Sequence, residues 1–317
     1  MVGGIFVEIS DLYRLPERSL SYLMQQADGI RAEKFGPKID LCTITNAKSG
    51  ACSEDCKFCA QSSHYSVDIA SYPLKSMETM IEEAKTAKGY GSDRFCIVTS
   101  GNSLTAQELS LIAGTITKIT RDIGMVMDAS LGALSYDDLK FLKQAGLARY
   151  HHNIETSRDF YPKIVSTHSF DERVNTIKAA KKAGLEVCSG GIIGLGESWK
   201  DRIDMAVLLR DLDVDSVPIN ILNPIKGTPL GGSDNISIED AMKTIAIFRI
   251  ILPGKVIKVA AGRETKLKDH QKDIFHAGAN GMLIGGYLTT KGRPVEEDRR
   301  LVEEIERVWG KGMKDEE

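Results

Sequence analysis

The sequence predicts a single-domain (β/α)8 barrel of the TIM type, with a helical extension before it and a helix after it. Three observations carry this. Eight short apolar, β-branched runs recur along the 317 residues. Amphipathic stretches rich in Lys, Glu, Ala and Leu separate them. Glycines follow several of those stretches (Gly89, Gly124, Gly146, Gly184), as they do where a helix ends before a strand.

In chain order, residues 1–38 precede the first run and read as one or two helices at the barrel's bottom or flank. The predicted strands are residues 39–45, 94–100, 125–130, 148–154, 186–193, 215–221, 256–260 and 281–285. The helical stretches between them include 77–88, 106–123, 136–145, 170–183, 199–211 and 238–251. The barrel therefore occupies 39–293, and 294–317 form a last helix and a charged tail. No linker-like stretch divides it. Glycine-rich residues 190–197 could suggest the dinucleotide loop of a doubly wound sheet, but Trp199 stands where the third glycine of GxGxxG belongs, which removes that alternative.

The chain is 42% hydrophobic and 27% charged, with a formal net charge of −3, values that suit a globular enzyme and give no general affinity for nucleic acid. No apolar run approaches the ~20 residues that span a bilayer. The start, MVGGIFVEIS, has no basic region of the kind that opens an export signal. A cytoplasmic enzyme is the expectation, consistent with free thiols.

Cys52, Cys56 and Cys59 form a CxxxCxxC run in the loop after the first strand, at the barrel face where such enzymes place their chemistry. Three thiolates can hold three irons of a [4Fe–4S] cluster and leave the fourth open. A zinc site would need a fourth Cys or His, and His64 is the one residue of that kind nearby. The spacing resembles that of the radical S-adenosylmethionine (SAM) enzymes, in which the open iron binds SAM and an electron releases a 5′-deoxyadenosyl radical. Phe58 stands where that superfamily places an aromatic to face the adenine.

The other three cysteines, Cys42, Cys96 and Cys188, lie in the first, second and fifth predicted strands. Each alone reads as buried core. Together, on strands whose inward side chains converge, they make a second metal site.

With SGACSEDCKFCAQSSHY, RFCIV, HHNIETS, VCSGGIIGLGES, SVPINILNPIKGTPL and AAGRE in place, the chain resembles the biotin synthase family from about residue 20 to residue 300. The resemblance implies a homodimeric barrel that inserts sulfur between C6 and C9 of dethiobiotin, using two SAM molecules and a sulfide of an auxiliary iron–sulfur cluster. Electrons would come from a donor such as flavodoxin or ferredoxin. It implies that Cys96, Cys188 and Arg263 match ligands of an auxiliary [2Fe–2S] cluster. The third family cysteine is replaced by Asp128, a hard oxygen donor poorly matched to such a cluster. Cys42 stands where serine is common, so the expected set is Cys42, Cys96 and Cys188, with Arg263. The cluster could then be larger and richer in sulfide, such as [4Fe–5S].

Carried over in the same way, Asn153 and Glu155 would contact the SAM ribose and Arg173 the SAM carboxylate. Ile192 would lie against the adenine, with Gly190 allowing close backbone approach. Asn153, Asn220 and His151 would meet the dethiobiotin ureido ring, His151 standing where the family has asparagine. Period-2 alternation on strand four places His151, Asn153 and Glu155 on one face and His152 on the other. The rival readings are a hydrogenase maturase-like or methylornithine mutase-like enzyme and a non-catalytic iron–sulfur scaffold.

Overall fold

The computed structural model describes residues 8–234 and 236–312; the apolar start and the tail beyond residue 312 lie outside them. Nine strands run in chain order: β1 (Asp40–Lys48), β2 (Arg94–Thr99), β3 (Val126–Ser130), β4 (Leu147–His151), β5 (Glu186–Cys188), β6 (Gly191–Ile193), β7 (Ser216–Ile221), β8 (Val256–Val259) and β9 (Gly281–Leu283). All pair in parallel. The sheet runs β5-β4-β3-β2-β1-β9-β8-β7-β6 and closes through β5–β7. β5 and β6 are two pieces of one stave, so the barrel has the eight expected staves.

The break in that stave has a steric cause. A Cβ on Gly190 would stand 2.0 Å from the Pro218 carbonyl oxygen on β7. The backbone crosses its neighbour too closely there for a regular ladder. The Gly190 carbonyl instead accepts from both Ile154 N and Glu155 N, at 3.0 and 3.1 Å.

Eleven α-helices are described. The six that follow staves are α3 (Met77–Gly89), α4 (Ala106–Ile123), α5 (Tyr136–Gln144), α6 (Phe170–Lys182), α7 (Trp199–Asp211) and α8 (Ile238–Ile251); α1 (Ile9–Leu12) and α2 (Leu20–Phe35) precede the barrel, and α9 (Arg263–Leu267), α10 (Asp273–His276) and α11 (Val295–Gly312) follow β8 and β9. A Ser or Thr caps each helix from α3 to α8, and in α4, α5, α6 and α7 an acidic residue three positions on completes a capping box. Those boxes are local sequence signals, which explains why the helix starts coincide with the expected ones.

The extension lies at the flank, with α2 packed along α8 and α10. The Arg31 guanidinium sits 3.5 Å from the centre of the Trp309 ring, tying α2 to α11. Ile39 N donates to Glu306 Oε1 at 2.9 Å, fixing α11 beneath the first stave. The apolar core fills the layer between strands and helices, with Ile97, Ala129, Tyr150, Val187 and Ile257 all fully buried there. No described helix is long and apolar enough to cross a membrane.

Candidate active site

Barrels of this class normally fill their lumen with layers of branched side chains. This one leaves a cavity of about 420 Å³, and all six cysteines line it.

The Cys52–Cys59 loop forms its upper wall. Cys52 N donates to the Gln61 carbonyl (3.0 Å), Ser63 N to the Cys52 carbonyl (2.8 Å) and Cys59 N to the Cys56 carbonyl (2.9 Å). Two distant segments clamp the loop from outside. Between β4 and α6, Ser166 N and Thr167 N donate to Asp55 Oδ1 at 2.8 and 3.2 Å, and His168 Nδ1 lies 2.5 Å from Glu54 Oε2. After β7, Leu230 N donates to the Lys57 carbonyl at 3.3 Å, so the Lys226–Leu230 turn supports the cysteines. Burial alone would raise the Asp55 carboxyl, but the hydrogen bonds from Ser166 and Thr167 outweigh it and hold the group well below the usual carboxylate range. Burial pushes the Cys59 thiol up to about 11 and the Cys56 thiol higher still, so metal binding here must displace protons.

Beneath the loop lies a ring of side chains from five staves. The third residues of β1, β2, β3, β5 and β8 are Cys42, Cys96, Asp128, Cys188 and Lys258, and all face the cavity. By register Cys96 pairs with Asp128, whereas Cys42 pairs with Arg94 and Cys188 with His151. The three thiols are each less than a tenth exposed, and burial pushes Cys42 up to about 12. Soft thiol donors on three staves suit iron–sulfur chemistry.

Asp128 is already paired, with Arg94 Nη1 at 3.0 Å and Arg149 Nη1 at 3.9 Å. Below the ring, Arg94 and Arg149 both meet Glu186 Oε2, each through an Nη2 at 2.9 Å, and Lys258 Nζ meets Asp40 Oδ1 at 2.6 Å. Two cations, Arg94 and Arg149, and two carboxylates, Asp40 and Glu186, thus form a floor below the ring at the strands' N-terminal ends.

Arg263 does not belong to the ring. Gly262, at φ 83°, turns the chain after β8, and the buried guanidinium points away from the cavity. It binds Asp298 Oδ2 of α11 at 2.5 Å, the Leu283 carbonyl at 3.3 Å and Gln271 Oε1. The basic side chain of β8 that faces the thiols is Lys258. A lysine in an otherwise apolar strand, with Ala260 two positions on sharing its face, was the available sequence signal for it.

The wall that would meet SAM departs from simple alternation. β4 ends at His151, and Glu155 adopts a left-handed φ of 68°, so His151, His152, Asn153 and Glu155 all line the cavity. Arg173 Nη1 donates to the Asn153 carbonyl (3.0 Å) and lies 3.7 Å from Glu155 Oε1; its Nε donates to Tyr161 Oη (2.7 Å). Burial pushes the Glu155 carboxyl up, and Arg173 pulls it back. Asn153 Oδ1 accepts from Gly190 N at 3.1 Å. Phe58 and Ile192 line the same space. Gly190 does not: its close approach is to β7, not to the cavity.

Asn220 lines the cavity while its amide is partly engaged, Nδ2 donating to the Gly191 carbonyl (3.3 Å) and Oδ1 accepting from Ala261 N (3.1 Å). One N–H and one lone pair remain. Burial lowers His151 to about 4, leaving a neutral imidazole. Thr289 and Thr290, after β9, also line the cavity and had no motif to announce them.

Among the described residues no three His, Cys, Asp or Glu side chains converge as a site for a single metal ion. Cluster thiolates bond to different irons and stand further apart than the ligands of one tetrahedral ion. The donor chemistry and the open lumen fit the cluster reading.

Comparison with known proteins agrees with this geometry. Residues 47–209 match the family model of the Radical SAM superfamily, and residues 218–307 that of the Biotin and Thiamin Synthesis associated domain. Among solved structures, methylornithine synthase superposes with a TM-score of 0.83 at 23% identity, covering 95% of this chain and 94% of that one. The FeFe-hydrogenase maturase of Carboxydothermus hydrogenoformans gives 0.80 at 18%, covering 94% and 75%. Those likenesses establish the shared barrel. Sequence separates the chain from both: it is 47% identical over 300 residues to a biotin synthase of Pelotomaculum thermopropionicum, covering 95% of this chain and 94% of that one. It is 53% identical over 274 residues to one of Thermotoga neapolitana, covering 86% and 98%. A radical SAM barrel, and identities this high over nearly the whole chain, leave one conclusion: the chain belongs to the biotin synthase family.

Proposed function

We propose that this radical SAM sulfurtransferase converts dethiobiotin to biotin with two sets of three thiols in one lumen. Cys52, Cys56 and Cys59 hold the SAM-binding [4Fe–4S] cluster, and Cys42, Cys96 and Cys188 hold the auxiliary cluster. The observation that carries the reading is that all six cysteines line a single cavity, one set at its mouth and one in a ring below. When bound, the first cluster with SAM supplies a hydrogen-abstracting radical and the second supplies sulfur.

The chain's own residues bind, orient and exclude. Arg173 is the cation for the SAM carboxylate, and it holds Glu155 and Asn153 toward the ribose hydroxyls. Phe58 and Ile192 enclose the adenine. Asn153, Asn220 and the neutral His151 offer donors and acceptors to the ureido ring. The walls keep water and stray hydrogen donors from the reacting carbons. Asp128 stays in its ion pairs with Arg94 and Arg149 and leaves iron to the thiols. The auxiliary cluster is [2Fe–2S] or a sulfide-rich form such as [4Fe–5S]. The working enzyme is a cytoplasmic homodimer fed by a flavodoxin or ferredoxin.

The test is iron and sulfide analysis with Mössbauer spectra on anaerobically reconstituted protein in which Cys52, Cys56 and Cys59 are alanine. A cluster persists and disappears when Cys42→Ser is added; its iron-to-sulfide ratio distinguishes the two forms. Persistence despite Cys42→Ser removes Cys42 from the ligand set, and absence from the start removes the second site.

A further inference from the structure

Lys258 is a lysine in an odd place. It is 5% exposed, in the middle of a parallel strand, with its side chain on the cavity. Such a group is rare in a core unless it is paired or has work to do. Its one ion-pair partner is Asp40 Oδ1, at 2.6 Å. Beyond Asp40, no acceptor among the described residues takes an N–H from Lys258. With one donor directed at Asp40, two remain toward the ring, where Cys42, Cys188 and Asp128 are the negative or potentially negative groups and Arg149 is a like charge.

The fold makes room for this side chain. A Cβ on Gly281 of β9, the register partner of Lys258, would stand 2.6 Å from Lys258 Cγ. The stem therefore lies over a residue without a side chain, directed inward from β8.

We infer that Lys258 is the cationic positioning residue of the auxiliary site, donating hydrogen bonds to a cluster sulfide there instead of binding iron. An ammonium has three donors and no lone pair, so beside Asp40 it cannot serve as an iron ligand. What it supplies is positive charge in a buried space, which favours the more negative, reduced state of whatever the thiols hold. Asp40 opposes that charge from below and tunes it. The inference rests on the reading that Cys42, Cys96 and Cys188 hold the auxiliary cluster.

The experiment uses the full chain with Cys52, Cys56 and Cys59 changed to alanine, reconstituted anaerobically with ferrous iron and sulfide. Iron per chain and midpoint potential are measured for this parent and for Lys258→Met, Lys258→Arg and Asp40→Asn. Lys258→Met keeps the parent's iron content and shifts the potential negative. Lys258→Arg stays close to the parent, and Asp40→Asn shifts positive, which tests the same charge logic should the methionine variant fail to fold. Loss of iron from folded Lys258→Met, or potentials unmoved or moved in one direction by both changes, overturns the lysine's role. Iron missing from the parent itself overturns the three-thiol reading instead.

Discussion

Alanine at position 191 probes how tightly the wall facing SAM is built. Its Cβ would stand 2.3 Å from the Glu155 carbonyl oxygen and 2.6 Å from both the Glu155 carbonyl carbon and Met205 Sδ. Non-bonded heavy atoms are comfortable at about 3.5–4.0 Å, so the two backbones must part by about 1 Å. The Met205 thioether can swing aside. The Glu155 carbonyl cannot, because Ile192 N donates to it at 2.8 Å while Ile154 N and Glu155 N are both tied to Gly190. Overpacking of this kind costs about 1–3 kcal/mol. Glu155 already sits at φ 68°, a conformation that stores about 1–3 kcal/mol in a non-glycine residue. Loosening the contact lets that residue relax and carries its carboxylate out of place. A misplacement of about 1 Å in a positioning group lowers turnover about 100-fold. Gly191→Ala should therefore melt earlier, bind SAM more weakly and release dethiobiotin-dependent 5′-deoxyadenosine about 100-fold more slowly. Gly232→Ala is the control, since no atom lies within 4 Å of its added Cβ and its φ is not positive. A Gly191→Ala enzyme that binds SAM and turns over like the parent would refute the reasoning.

Other consequences follow from the same contacts. Arg173→Met removes the charge that pulls the Glu155 carboxyl down, so SAM affinity should fall and gain a pH dependence, weakening further as pH drops through the raised Glu155 value; isothermal titration over a range of about two units around neutrality reads this. Arg263→Met removes the closer partner of buried Asp298 and leaves it Arg293 Nη1 at 3.5 Å, so it should destabilise the fold in chemical denaturation by less than the ~3–5 kcal/mol of a fully unpaired buried charge. Its auxiliary iron content should stay at the parent's level, because the guanidinium never reaches the thiols. Asp55→Asn should loosen the cysteine loop, seen as faster amide exchange over residues 52–59 at neutral pH. In the parent the Asp55 carboxyl is depressed, so its hold is complete above the unfolded value of about 3.9 and lost only as pH falls through the lower folded value.

The sequence alone determined the elements and the chemistry they carry. Strand periodicity, Ser or Thr caps with acidic partners and the CxxxCxxC spacing are local signals, readable without a partner. Cys42, Cys96 and Cys188 were likewise legible as a set, because three inward residues on numbered strands converge once the barrel closes. What the tertiary structure decided are directions after a strand ends. His151, Asn153 and Glu155 share the cavity as alternation expects, but past His151, where β4 ends, His152 joins them, and Glu155 adopts a left-handed φ against Gly191, a residue thirty-odd positions away in sequence and adjacent only in the closed barrel. Arg263 turned outward because the Gly262 turn and Asp298 of the last helix hold it there, leaving Lys258 as the cation over the thiols. The clamp on Asp55 comes from a segment more than a hundred residues on, which no local pattern announces. A side chain inside a strand inherits its direction from the pleat, whereas one beyond it takes its direction from whichever distant group offers the better hydrogen bond or charge.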